Sequence, residues 1–154
     1  MATIREASAE DTDAVRCLFQ EYAAWLGIDL SFQSFHEELE SLPSPYVRPR
    51  GFVLLAESEE RAVGCVALRK LSGGIAEAKR LYVVPAHRGR GIGRRLMEEV
   101  IREACRIGYT AIRLDTLPQM KTASALYEAL GFKRIGPYYY NPIAGTTYME
   151  LSLT

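Results

Sequence analysis

The chain has 154 residues, and its 19 basic side chains balance its 19 acidic ones, so the formal net charge is zero. A neutral chain lacks the basic surface that general nucleic-acid binding needs, so we expect no nucleic-acid partner. No apolar run approaches the roughly 18 residues of a membrane span, so we expect no membrane association. The length suits a single domain over residues 1–154 with a sizeable core.

The cysteines are odd in number and widely spaced. Cys17, Cys65 and Cys105 form no Cys-x-x-Cys pair. Such a set is typical of free thiols in an intracellular protein, and it predicts no structural metal site. The N-terminal segment is polar and acidic, unlike a secretory signal peptide, so we expect a cytoplasmic protein.

Periodic apolar residues divide the chain into strands and helices. Helical spacing runs from Val15 to Leu26 before Gly27, and again from Ile92 to Ala104. Short apolar or alternating runs bounded by glycine and proline indicate strands. The predicted strands are 3–7, 52–56, 62–68, 75–84, 111–114, 132–135 and 146–153, further helices open at Ser31 and Met120, and turns or loops occupy 43–50, 57–61, 73–74 and 136–142.

The order of these elements predicts the fold class. It reads β, α, α, β, β, β, α, β, α, β, β, with antiparallel hairpins first and a β-α-β unit later. Hairpins and a β-α-β crossover in one chain require a mixed sheet that is covered by helices on both faces. We therefore expect an α/β domain with a mixed, mostly antiparallel sheet.

A glycine-rich stretch from Arg88 to Arg95 joins the fourth predicted strand to a strongly amphipathic helix. Alternating glycines at 89, 91 and 93 let the backbone turn and approach a ligand closely. The helix start exposes unpaired N–H groups and a partial positive charge. Because arginines stand where acidic residues would normally oppose the helix dipole, we expect a bound anion. A phosphate or pyrophosphate fits best, and the alternative is a glycine loop with solvated arginines.

Two common phosphate-binding motifs are excluded by this spacing. The Gly-x-Gly-x-x-Gly pattern ends on Leu96 or on Arg94, and no Gly-Lys-Ser/Thr follows. The stretch instead resembles the Arg/Gln-x-x-Gly-x-Gly/Ala loop of the GCN5-related N-acetyltransferase (GNAT) family. Arg88, Gly91 and Gly93 carry this resemblance.

A second segment carries the same resemblance. Residues 123–132 are similar to the family's Ala-x-x-Leu-Tyr-x-x-x-Gly-Phe segment, although Met120 stands where the family often has asparagine. The resemblance implies the GNAT fold and acetyl-CoA as cofactor, with its pyrophosphate on the loop N–H groups. The residues implied to bind the cofactor are Leu81, Tyr82, Val83, Arg88, Gly89, Arg90, Gly91, Ile92, Gly93, Arg94, Ala123 and Tyr127.

Acetyl transfer to an amine needs a base, an oxyanion donor and an acid for the departing thiolate. The resemblance implies Glu77 as the base, directly or through water, and Tyr127 as the acid. It also implies a backbone N–H of Tyr82 or Val83 as the oxyanion donor. The alternatives are a carboxylate that pairs with Lys79 on the surface, a water chain as the base, and a tyrosine that only packs at a helix–sheet boundary.

The segments that form the acceptor pocket in this family are rich in aromatic residues here. Such rings suit an amine through cation–π contact, and the alternative is ordinary core and rim packing. The aromatic residues are Tyr22, Trp25, Phe32 and Tyr46 on one side and Tyr138, Tyr139 and Tyr140 on the other. Among the residues of these segments and β4, the predicted substrate contacts are Tyr22, Trp25, Tyr46, Glu77, Tyr138 and Tyr139.

The sequence thus predicts an acetyl-CoA-dependent N-acetyltransferase in which a primary amine attacks the thioester directly. We expect a small molecule, an amino acid or a peptide as the acceptor, because zero net charge does not favour a histone-like one. Two alternatives stay open: a non-catalytic acyl-CoA sensor or interaction domain, and an acyltransferase of the same fold that uses another acyl chain. A homodimer paired through the last strand is compatible with the sequence.

Overall fold

The computed structural model describes residues 2–154, with the side chain of Phe32 outside that description, and this part of the chain contains seven strands and four α-helices. Their bounds are β1 Thr3–Glu6, α1 Thr12–Leu26, α2 Phe35–Ser41, β2 Phe52–Ser58, β3 Arg61–Ser72, β4 Ile75–Val83, α3 Ile92–Ile107, β5 Ala111–Thr116, α4 Lys121–Ala129, β6 Lys133–Ile135 and β7 Thr147–Ser152. The predicted order of elements is confirmed.

The strands form one sheet in the order β1-β2-β3-β4-β5-β7-β6. Every neighbouring pair is antiparallel except β4 and β5, which are parallel, so the predicted mixed sheet is confirmed. The parallel pair is short, because β4 and β5 are in register only from Ile75 to Glu77 on β4. Beyond Glu77 the two strands diverge and leave a gap at the centre of the sheet.

Each face of the sheet is covered by an apolar layer. The amphipathic stripe of α3 buries Leu96, Met97 and Val100 completely on one face, and α1 buries Phe19 against Leu55 on the other. Each such side chain contributes roughly 1.5–3 kcal/mol when it is removed from water. The two layers therefore fix both walls of the gap between β4 and β5.

Predicted boundaries are wrong at several points, and the strand predicted as 62–68 extends over Arg61–Ser72. The predicted turn at 57–61 is a two-residue turn, because Ser58 pairs with Arg61 and the strands extend almost to the tip. Glu59 and Glu60 both adopt positive φ, as a tight hairpin turn requires. The helix predicted to open at Ser31 is interrupted, because Ser34 is left-handed (φ 56°) and separates a 3₁₀ turn from α2. This break follows from local backbone conformation, which the apolar pattern does not report.

Candidate active site

Strand β4 carries a bulge where it leaves β5. Cys65 pairs with Tyr82 and Ala67 pairs with Lys79, so Arg80 and Leu81 together oppose one residue of β3. Arg80 has φ 66°, an unusual conformation for a residue other than glycine. Neither bulged residue has a register partner on β3 or β5. The bulge and the gap beside it therefore open the sheet at one point.

A groove of about 470 Å³ lies on one side of this opening, over the start of α3. It is formed by the last residues of β4, the glycine-rich loop and the first turns of α3 and α4. Its lining residues are Trp25, Leu81, Tyr82, Val83, His87, Arg88, Gly89, Gly91, Ile92, Gly93, Arg94, Thr122, Ala123 and Leu126. Most of the residues that the sequence predicts for the cofactor thus meet in one groove.

The loop at the end of this groove presents free hydrogen-bond donors. Within residues 2–154, the backbone N–H groups from Gly89 to Arg94 donate to no other group, and the helix ladder starts with Arg95 donating to Gly91 O at 3.1 Å. Gly89 and Gly91 both have φ 78°, which turns successive N–H groups outward. A run of free N–H groups at a helix start is suited to a phosphate.

Two arginines of the loop, Arg88 and Arg94, line the groove, and the predicted cofactor residue Arg90 is not among its lining residues. Arg88 Nε donates to Val83 O at 2.8 Å, and its guanidinium lies 4.8 Å from the Trp25 ring centroid and 5.4 Å from that of Tyr82. Trp25 is predicted to bind the acceptor, but the structure places it on the groove, where it is 43% exposed. Arg90 makes no ion pair within the described chain.

A second cavity, much smaller at about 20 Å³, lies across the opening, between α1, the loop after it and the diverging ends of β4 and β5. Leu81 lines both hollows, so they meet at the bulge. The cavity is lined by Tyr22, Leu26, Ile28, Leu30, Gln33, Val66, Ala78, Lys79, Arg80, Leu81, Met97, Asp115, Leu117, Met120, Tyr127 and Asn141.

Tyr127 lines this cavity with its ring packed against Phe132, at 5.7 Å between centroids. Its hydroxyl has no hydrogen-bond partner among the described residues. Burial raises the pKa of Tyr127 above its ordinary value of 10.0, and the Tyr22 and Asp115 charges act in the same direction. The hydroxyl therefore keeps its proton at neutral pH and has it available for a ligand.

A chain of hydrogen bonds surrounds Asp115 at the end of β5. Its Oδ2 accepts from the Tyr139 hydroxyl and from Asn141 Nδ2, the latter at 3.0 Å. Gln33 Nε2 donates to the Tyr139 hydroxyl at 3.0 Å. Within the described chain Asp115 Oδ1 accepts no hydrogen bond, so one carboxylate oxygen is available on the cavity wall.

The buried Arg80 is held by hydrogen bonds to Glu38 and Gln33. It donates to both carboxylate oxygens of Glu38, at 3.0 and 2.8 Å, and to Gln33 Oε1 at 2.8 Å. Its guanidinium lies 5.0 Å from the ring centroid of Phe35 and 5.8 Å from that of Tyr22. Burial opposes ionisation of Glu38, but the hydrogen bonds and charge of Arg80 hold its pKa below the usual range. Burial raises the pKa of Tyr22 to about 12.

The predicted base Glu77 lies outside the cavity lining and is 2% exposed. One carboxylate oxygen accepts from Arg69 Nε at 2.9 Å, and the other accepts from the Tyr138 hydroxyl at 2.6 Å. The alternative in which Glu77 pairs with Lys79 on the surface is wrong, because Glu77 pairs with Arg69. Arg69 stands directly opposite Glu77 in the β3–β4 register, and such cross-strand neighbours are closer than residues two apart on one strand.

The aromatic residues predicted for the acceptor do not form one cage. Tyr22 lines the cavity, whereas Tyr46 packs edge-on against Phe19 in the core, 6.0 Å between centroids, beside a separate hollow. Tyr138 and Tyr139 turn their hydroxyls toward Glu77 and Asp115. Tyr46 therefore lies outside this cavity, because its ring packs against Phe19 of α1.

Sequence reasoning missed most polar groups of the cavity, namely Gln33, Lys79, Arg80, Asp115 and Asn141. A carboxylate at the end of a predicted strand is the kind of signal that could have identified Asp115. In the part of the chain that the structure describes, no three His, Cys, Asp or Glu residues cluster as a metal site, and no helix has the length and apolarity needed to cross a membrane.

Known proteins match this chain over most of its length. A family model described as an acetyltransferase (GNAT) domain matches residues 49–134. An uncharacterised N-acetyltransferase of Schizosaccharomyces pombe is 41% identical over 147 residues, which cover 94% of this chain and 90% of that protein.

Solved structures share the fold. A Klebsiella pneumoniae protein described as an acyl-CoA N-acyltransferase has a TM-score of 0.79 and 27% identity, covering 100% of this chain and 99% of that one. A Salmonella typhimurium acetyltransferase, solved with its cofactor acetyl-CoA, has a TM-score of 0.71 and 24% identity, covering 99% of this chain and 94% of that one.

Proposed function

Because the chain belongs to the GNAT family of acetyl-CoA-dependent N-acetyltransferases, we propose that it acetylates the primary amine of a small molecule, an amino acid or a peptide by direct attack. The observation that carries this proposal is the meeting of two hollows at Leu81. One hollow suits the cofactor and the other an amine. A thioester at the junction is reached by the amine without any covalent enzyme intermediate.

The groove supports binding of the cofactor's phosphates and its pantetheine arm. The free N–H groups from Gly89 to Arg94 suit the pyrophosphate, and Arg94, which lines the groove, suits a further phosphate oxygen. Leu81, Tyr82 and Val83 line the groove toward the bulge, where an extended pantetheine arm can pair with an unpartnered strand edge. The thioester carbonyl then lies beside the backbone of the bulge.

The cavity supports the chemistry at the amine. We assign Asp115 to orient the amine and receive its proton, because Asp115 lines the cavity and has one free oxygen. Glu77 has both oxygens engaged, so a base role for it requires a water relay. The amine nitrogen attacks the carbonyl carbon, the C–S bond breaks, and the sulfur takes the proton of the Tyr127 hydroxyl.

Two measurements on the purified protein test this function. The first is thermal unfolding with acetyl-CoA at ~100 times its Kd, which should add about 2.7 kcal/mol to the unfolding free energy, with ATP and NAD as controls. The second is thiol release with a broad panel of small amines, amino acids and peptides. Stabilisation followed by amine-dependent CoA release supports the proposal. Stabilisation without release over the whole panel favours an acyl-CoA sensor, and release only with a longer acyl thioester favours the other acyltransferase.

A further inference from the structure

Lys79 and Arg80 are the cationic residues that line the acceptor cavity in the described chain. Arg80 is already neutralised by Glu38 and also donates to Gln33, so three of its five N–H groups are engaged. Lys79 differs, because its ammonium lies within 4.0 Å of no carboxylate and makes no hydrogen bond to any described residue. It is the cation on the cavity wall that lacks a partner.

The environment of Lys79 makes this lack of a partner costly. Lys79 is half-buried, and a charge removed from water is expensive unless it is paired. Burial and the neighbouring Arg80 charge lower the pKa of Lys79, while Glu77, Glu38 and Asp115 oppose this effect. Two of these three acids are already engaged, by Arg69 and by Arg80. An anion from outside the chain would lower the free-energy cost of the unpaired Lys79 charge.

We propose that Lys79 binds a carboxylate of the acceptor, so that the acceptor is a small amino acid in which the amine and the carboxylate are a few bonds apart. The inference rests on the proposed function and makes it more specific. Asp115 takes the amine and Lys79 takes the carboxylate of the same molecule. The remaining wall is largely apolar, through Leu26, Ile28 and Leu30.

The nature of the cavity favours a carboxylate over a phosphate. One available ammonium matches one negative charge, whereas a phosphate monoester carries nearly two at neutral pH and usually engages several donors. Simple amines and peptides lacking a nearby carboxylate would leave Lys79 unpaired. The cavity thus carries a sign pattern, with Asp115 and Lys79 as its available charges, that matches a zwitterion.

The test compares matched acceptors on the wild-type protein and on two variants. Leucine and methionine are each compared with their amides, which keep the amine and side chain but lack the negative charge. The amide amine is the weaker base, so a preference for the amino acid cannot come from its amine being more deprotonated. The variants are Lys79→Met and Lys70→Met, the latter removing an exposed lysine of β3 outside the cavity.

The expected result is a kcat/KM, calculated for each acceptor on its concentration of unprotonated amine, about 10- to 100-fold higher for the amino acids than for their amides, the scale of a charge-assisted hydrogen bond. Lys79→Met should abolish that preference and Lys70→Met should keep it, with the acetyl-CoA KM unchanged in both. An equal or higher rate for the amides, or a preference that survives in Lys79→Met, overturns the inference while leaving the proposed function intact.

Binding measurements separate the two proposals if no acceptor reacts. In that case the proposed function fails, and calorimetric titration of the CoA-loaded protein with N-acetylleucine and with N-acetylleucinamide decides the inference. Tighter binding of the acid, lost in Lys79→Met, supports the carboxylate site. Equal binding of both, or binding of neither, overturns it. If Lys79→Met does not fold, Lys79→Gln takes its place, and the wild-type comparison stands without any variant.

Discussion

The groove and the cavity share Leu81, but they offer a ligand different chemical groups. The groove presents backbone N–H groups from one continuous loop, Gly89 to Arg94. The cavity presents side chains that come together from distant segments, as in the hydrogen bond between Gln33 and Tyr139. A site made of backbone tolerates side-chain variation and binds a constant cofactor. A site made of side chains changes with each substitution and can select an acceptor.

This difference explains which residues could be predicted from sequence. The loop follows from local rules, because alternating glycines before an amphipathic helix determine the direction of its N–H groups. The order of elements follows from periodicity in the same way. Asp115 lies on the cavity wall because β4 and β5 diverge, and that divergence depends on the bulge at Arg80. No local pattern reports a bulge whose residue is an arginine, so the cavity could not be predicted.

The interpretation of Glu77 shows the same limit. Its place on β4 follows from the strand pattern, but its surroundings depend on Arg69 across the sheet and on Tyr138 from the loop after β6. Position along the chain therefore identified the correct strand without identifying the neighbours of the carboxylate.

Among the substitutions at the junction of the two hollows, Tyr127→Phe should cause the largest loss of activity. Removing the hydroxyl leaves the thiolate without a proton donor, so kcat should fall about 10²- to 10⁴-fold with little change in acetyl-CoA affinity. Steady-state thiol release and calorimetry measure the two quantities. Tyr140→Phe, which alters a side chain that is 82% exposed, is the matched control. Unchanged turnover in Tyr127→Phe would show that Tyr127 does not protonate the departing thiolate.

Glu38→Gln should lower the stability of the protein, because it removes the carboxylate that pairs with Arg80 on the cavity wall. Leaving Arg80 buried without its carboxylate should cost about 3–5 kcal/mol of unfolding free energy at pH 7. Because folding lowers the pKa of Glu38 below 4.5, its contribution is present above that pH and is lost as the pH falls toward the folded value. Urea unfolding should therefore show the wild type and the variant converging below about pH 4.5. A constant difference down to pH 2 would contradict the assignment.

Asp115→Asn should lower kcat/KM for the amine without changing the KM for acetyl-CoA. Loss of the carboxylate should lower kcat/KM for the amine about 10- to 100-fold, because a charge-assisted hydrogen bond is replaced by a neutral one. The acetyl-CoA KM should not change. Glu77→Gln is measured in parallel, and a larger loss of kcat there than in Asp115→Asn would assign the base to Glu77 instead.

Gly91→Val should raise the KM for acetyl-CoA without changing the KM for the amine. A side chain at a left-handed position costs about 1–2 kcal/mol of stability and disturbs the outward N–H groups, so the acetyl-CoA KM should rise roughly tenfold. Gly73→Val is the matched control, since Gly73 is also left-handed with open space around it but lies in the β3–β4 turn. Equal KM values in the two variants would show that the loop does not bind the cofactor.

Lys79→Met should produce the smallest effect, an increase in the stability of the free protein. The pKa of Lys79 is lower in the folded state, so its charge costs stability at neutral pH and that cost disappears as the pH rises through the folded pKa. We expect a gain of about 0.5–1 kcal/mol in urea unfolding at pH 7. A loss of stability would indicate that Lys79 already has a stabilising partner.

Direct attack of the amine on the thioester is tested by initial rates measured over a grid of acetyl-CoA and amine concentrations. If the acyl donor and the acceptor occupy separate hollows that meet at Leu81, both must be bound together, and double-reciprocal plots should intersect. Parallel lines would indicate that an acetylated enzyme forms before the amine binds, which would contradict direct attack.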